Sequence, residues 1–185
     1  MANAEDGCKG HFWESRFKSQ ALLDETALLT AMAYVDLNPV RANIAGSISN
    51  SDYTSGQSRL REITAGPSTT QPSSSPKLLP FVGNAERNSP DHLPFNLQDY
   101  LDLLDDTGRA TVMGKHGSIS AMAPRLLAQL GIQANEWFST VTALHHRFEL
   151  AVGAPNRLKQ FALRWGKHWV KGMTSARRLY PAPPG

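Results

Sequence analysis

Residues 11–23, HFWESRFKSQALL, alternate along the chain. Trp13, Ser15, Phe17 and Ser19 fall to one side, and Glu14, Arg16, Lys18 and Gln20 to the other. A period of two predicts a half-buried strand with a charged outer face. At Asp24 the period changes. ETALLTAMAYVDLN repeats at helical spacing, and Asp24 stands where an N-cap belongs, so a helix is predicted from Glu25 onward. Asn38-Pro39 ends it, because a residue before proline is pushed out of the helical region. On a helical wheel Leu28, Leu29, Met32 and Val35 form the core face, while Tyr34 and Asn38 lie one turn apart and outside it. A further short helix is predicted over residues 53–63.

Residues 65–78, AGPSTTQPSSSPKL, carry no large apolar side chain before Leu78 and read as a Ser/Pro-rich linker. Beyond it the helical period returns. Asn96 is placed to cap LQDYLDLLDD, and SAMAPRLLAQLG stops at Gly131. NEWFSTVTALHHRFELAVG and NRLKQFALRWGKHWVKG complete a helical module over residues 79–172, followed by a flexible tail at 173–185. Within the last helical stretch Leu158, Phe161, Trp165 and Trp169 fall on one side and Arg157, Arg164, Lys167 and Lys171 beside them. That pattern predicts two tryptophans in the core and a basic face outside, which DNA backbone, an acidic membrane surface or plain solvent could each meet, DNA backbone being favoured.

Charge sharpens this division. Residues 1–64 hold six Lys/Arg against eight Asp/Glu, whereas residues 65–185 hold thirteen against eight. After position 146, eight cations face Glu149 alone, a balance that suits a polyanionic partner, nucleic acid first, and equally a solubilising tail. Cys8 is the one cysteine, so no disulfide framework exists and a reducing, cytoplasmic setting is expected. No apolar run approaches the roughly 20 residues of a membrane span, so no membrane partner is expected.

The stretch GHFWESRFKSQALLDETALLTAMAYVDLNPVRANIA resembles the second half of the catalytic domain of REP-associated tyrosine transposases, single-tyrosine enzymes of the HUH class. The carrying features are the aromatic strand FWESRFKSQ, the acidic helix start and the helix end YVDLNPVRA. The resemblance implies an α+β chain: a remnant of a ferredoxin-like catalytic domain over residues 1–64, then the helical module. It implies transposition of single-stranded, hairpin-bearing DNA, with Tyr34 as the nucleophile that forms a 5′-phosphotyrosine and frees a 3′-hydroxyl. Asn38 would assist at the phosphate or metal, and Arg16, Lys18 and Arg41 would contact phosphates. A homodimer is compatible with this. The pattern of residues alone leaves open an ordinary surface tyrosine before an ordinary helix terminator.

Such enzymes use Mg²⁺ or Mn²⁺ held by a His-x-His strand that precedes the tyrosine. The six histidines here, His11, His92, His116, His145, His146 and His168, contain no such pair. The expectation is therefore a shortened transposase that does not bind the metal or cut DNA by itself. A noncatalytic DNA-binding remnant using the basic C-terminal helix is the alternative. His145 and His146 are adjacent, so on a helix they would point in different directions, a poor chelating pair, and both read as polar residues facing solvent.

Overall fold

The computed structural model describes residues 19–65, 78–82, 91–113 and 124–180. The chain is α+β, with helices predominating. A two-residue strand β1 (Ala21–Leu22) leads into α1 (Glu25–Asp36), α2 (Asn38–Arg41), a 3-10 turn (Ile48–Asn50) and α3 (Ser55–Ala65). Then follow α4 (Leu97–Val112), α5 (Arg125–Leu130), α6 (Ala134–Thr142), α7 (Leu144–Arg147), β2 (Ala151–Val152), α8 (Pro155–Arg164) and α9 (Met173–Leu179).

Local chemistry sets the helix ends where the sequence places them. The Asp24 carboxylate accepts from the Ala27 backbone N–H at 2.9 Å and opens α1. Leu37 closes it, and Pro39 falls in the first turn of α2, where a missing N–H costs nothing. Asn96 caps α4 through the N–H groups of Gln98 and Asp99. Gly131 ends α5 at φ 67°, a left-handed conformation that suits glycine.

Helix α1 lies between two apolar clusters. Leu29, Ala33 and Leu37 join Tyr100, Leu103, Leu104, Leu127, Trp137 and Leu179 in the first. Ala27 joins Leu144, Phe148, Ala151, Val152, Leu158 and Val170 in the second, with Tyr34 packed against it. The core face predicted from the wheel is thus rotated: Val35 is 62% exposed, and the buried set includes Thr26, Thr30 and Asp36. Two packed sides replace one because the later helices close over α1 from both directions.

Both clusters draw residues from either side of the predicted linker. The strand β1 pairs in parallel with β2, Ala21 opposite Ala151 and Leu22 opposite Val152. Of the predicted strand 11–23, residues 11–18 lie outside the described residues. Residues 66–77, most of the predicted linker, also lie outside them. The predicted tail contains α9 instead, with Ala176 and Leu179 buried; residues 181–185 lie outside the described part.

A buried polar knot ties α1 to α3 and α4. Asp36, 1% exposed, accepts from the Tyr100 hydroxyl at 2.7 Å and from Ser55 Oγ at 2.8 Å. Arg59 stacks over the Phe81 ring and donates to the Leu79 carbonyl. Burial, then the Asp36 charge and hydrogen bond, raise the Tyr100 phenol well above its ordinary range. Burial and the bond to Asp24 raise Tyr180 as well. Folded protein therefore keeps two phenol protons that the unfolded chain releases above about pH 10. Stability is whole below that pH and falls above it, by about 1.4 kcal/mol per pH unit for each tyrosine. Arg59, lowered by its own burial, offsets part of the fall at the alkaline end. Urea unfolding between pH 8 and 11 will show this slope, and Tyr100→Phe or Tyr180→Phe will each remove about half of it.

Candidate functional site around Tyr34

Tyr34 sits in the last turn and a half of α1, with its ring against the second cluster and its hydroxyl at the surface. The phenol oxygen is 3.1 Å from His145 Nδ1, and the two rings are 5.9 Å apart at 55°. With His145 protonated on Nε2, the phenol donates and Nδ1 accepts. The His146 ring lies against that of His145, centroids 3.8 Å apart. On the other side the Arg41 guanidinium covers the Tyr34 ring, 4.2 Å from its centre, while Nη1 donates to the Tyr34 carbonyl at 3.2 Å. A cation over an aromatic face is attracted by the ring quadrupole, so Arg41 holds the ring in place.

The histidine arrives by tertiary packing. Helix α6 lies along α1, and α7 follows it with Leu144 buried in the second cluster, which turns His145 toward the tyrosine. His145 and His146 are both exposed, as expected of polar residues on a helix surface, and His145 in addition contacts the phenol. Nothing local in the sequence announces a contact across 111 residues.

Of the residues expected to serve the site, Tyr34 and Arg41 come together. Asn38 is exposed and opens α2, its carbonyl bonded to the Ala42 N–H. Arg16 and Lys18 lie outside the described residues. Arg157 and Arg164 are exposed on α8, and Lys167 and Lys171 are exposed on the loop beyond it. The two tryptophans expected in the core are exposed, Trp165 by 69% and Trp169 by 74%. Helix α8 stops at Arg164, so the 3.6-residue period on which that expectation rests does not reach Trp169.

Among the described residues no cluster of three or more His, Cys, Asp or Glu could hold a metal. At Tyr34 the charged neighbour is a guanidinium and the nitrogen donors are two adjacent imidazoles tilted against each other. Mg²⁺ and Mn²⁺ favour carboxylate and other oxygen ligands, so this set does not fit them. A separate cleft of about 420 Å³, lined by the polar Glu25, Asn96, Asp99, Arg125 and Gln129 together with apolar neighbours, contains none of the expected site residues. Among the described residues no helix is long and apolar enough to cross a membrane. Comparisons with protein families, with curated proteins and with solved structures find no match to this chain.

Proposed function

We propose, in place of the inactive chain expected from the missing His-x-His pair, that this chain is a DNA strand transferase of the tyrosine transposase type, acting on single-stranded, hairpin-bearing DNA through Tyr34, because His145 stands where it can activate the phenol. The observation that carries the reading is the phenol held between His145 and Arg41 at the protein surface. A phenol is a weak nucleophile at neutral pH and needs a base. His145 Nδ1 is within reach of the proton. Transfer of that proton lets Tyr34 Oη attack a backbone phosphorus and form the O–P bond as the bond to the 3′ oxygen breaks. The product is a 5′-phosphotyrosine, and the released 3′ oxygen takes a proton from water. Arg41, with its planar set of donors, faces the phosphate oxygens.

In the transposases this chain resembles, a divalent cation supplies charge stabilisation at the phosphate; no step here is routed through one. The reading also assigns β1 and α1 to a ferredoxin-like domain, supported by the strand-to-helix order and the Asp24 cap. The noncatalytic alternative, a DNA-binding remnant, draws on residues 150–185, where seven Lys/Arg meet no Asp or Glu.

The test is incubation of the full chain with end-labelled hairpin DNA carrying single-stranded flanks, with and without Mg²⁺ or Mn²⁺, followed by a denaturing gel. A covalent protein–DNA band, with matching release of a 3′-hydroxyl strand, is expected. Retarded DNA on a native gel with no covalent band would overturn the strand-transfer reading in favour of binding alone.

A further inference from the structure

Helix α8 ends in a way that throws two tryptophans outward. Gly166, at φ 62°, takes the left-handed position after Trp165. The Gly166 N–H bonds to the Leu163 carbonyl at 3.1 Å, and the Lys167 N–H to that of Ala162 at 2.9 Å. This paired pattern closes a helix with its last carbonyls satisfied. The chain then crosses the surface from Trp165 to Trp169 and is fastened again at once. Val170 is 4% exposed within the second cluster. Gly172, at φ 118°, passes so close to Phe148 that any Cβ there would overlap its ring. The loop is therefore held at both ends, and the exposure of its tryptophans belongs to the folded state.

Large exposed apolar groups on an anchored frame mark an interaction surface. Leu163 is 77% exposed beside them, and Phe161 backs Trp165 with centroids 6.0 Å apart and planes tilted by 36°. Cations interleave with the rings: Arg164, Lys167 and Lys171 are all exposed, and no carboxylate side chain follows Glu149 in the sequence. An interfacial membrane helix would need a continuous apolar face opposite its charges. This segment leaves the helix at Arg164 and mixes rings with cations residue by residue. Such mixing suits a strand whose bases stack on aromatic faces while its phosphates meet cations.

We propose that the Trp165–Trp169 loop is a stacking platform for unpaired bases of single-stranded DNA, with Arg164, Lys167 and Lys171 on the adjoining phosphates. The proposal goes beyond the chemistry at Tyr34 and does not need it. It is tested in the full chain carrying Tyr34→Phe, so that failure of strand transfer and failure of the platform are read separately.

Fluorescence anisotropy with a labelled 20-nucleotide oligo-dT strand and a duplex of the same length supplies the readout, across a series of salt concentrations. Stacking on two tryptophans predicts that Trp165→Ala/Trp169→Ala loses about 100-fold in single-strand affinity. Duplex affinity should stay within about threefold, because phosphate contacts are indifferent to unpaired bases. Replacing both tryptophans by Phe should restore most of the single-strand binding. Lys167→Gln/Lys171→Gln should weaken both DNA forms alike and flatten the salt slope by about two. Unchanged single-strand affinity in the double Ala variant, with an unchanged circular dichroism spectrum, would overturn the platform. So would absent oligonucleotide binding together with a blue-shifted tryptophan emission on phosphatidylserine vesicles.

Discussion

Tyr34→Phe will abolish the covalent DNA adduct while leaving the fold and the noncovalent DNA affinity in place. The phenol oxygen is the one atom removed, and its hydrogen bond is an exposed contact to His145. Such a bond contributes about 1 kcal/mol or less to stability. The ring retains its packing on the second cluster and its contact with Arg41, neither of which needs the hydroxyl. A denaturing gel should therefore show no shifted band at any DNA concentration, alongside an unfolding midpoint close to that of the original chain. His145→Gln separates the nucleophile from its base. It should leave a detectable adduct formed about 100-fold more slowly, the lower end of what a positioned base supplies. An adduct that persists in Tyr34→Phe would assign the nucleophile to another residue and remove the basis for the roles given to His145 and Arg41.

Helix α1 and its site were legible in unequal measure. Asp24, Asn38-Pro39, Asn96 and Gly131 each act on backbone groups within a few residues of themselves, so their signals survive in the bare sequence. Gly166 carried a signal of the same kind, and weighed against the Leu158–Trp169 period it would have stopped the helix before Trp169. The contact of Tyr34 with His145 has no such local cause. It depends on α6 packing along α1, and on the short pairing of β1 with β2, which joins segments about 130 residues apart through two residues each. Two-residue strands have no period to read. Tyr34 also breaks the simple wheel argument, because a helix covered on two sides has no single polar face.

That double covering depends on Asp24 more than its capping role suggests. One carboxylate oxygen accepts from the Ala27 N–H and the Tyr180 hydroxyl, and the other accepts from the Ala154 N–H at 2.7 Å. The first bond starts α1, the second holds the residue that follows α9, and the third holds the residue before α8. Gly153 permits this approach, since a Cβ there would stand 2.8 Å from that of Leu23. Loss of an N-cap alone costs about 1 kcal/mol, and each of the two further donors, both partly buried, about 1 kcal/mol more when left without its partner, the lower end for an unsatisfied donor. Asp24→Ala should therefore lower stability by about 3 kcal/mol in urea unfolding, well beyond an ordinary surface cap. Asp24→Asn should fall between, because its amide would face the Ala154 N–H donor to donor. A double-mutant cycle with Tyr180→Phe should show coupling of about 1 kcal/mol, as expected for groups in one hydrogen-bonded network. A loss in Asp24→Ala no larger than that of a simple cap, with no coupling to Tyr180, would mean that the three elements hold together without this carboxylate. The second cluster joins these elements to α7, so the same variant should also slow adduct formation at Tyr34, through a displaced His145 rather than a missing group.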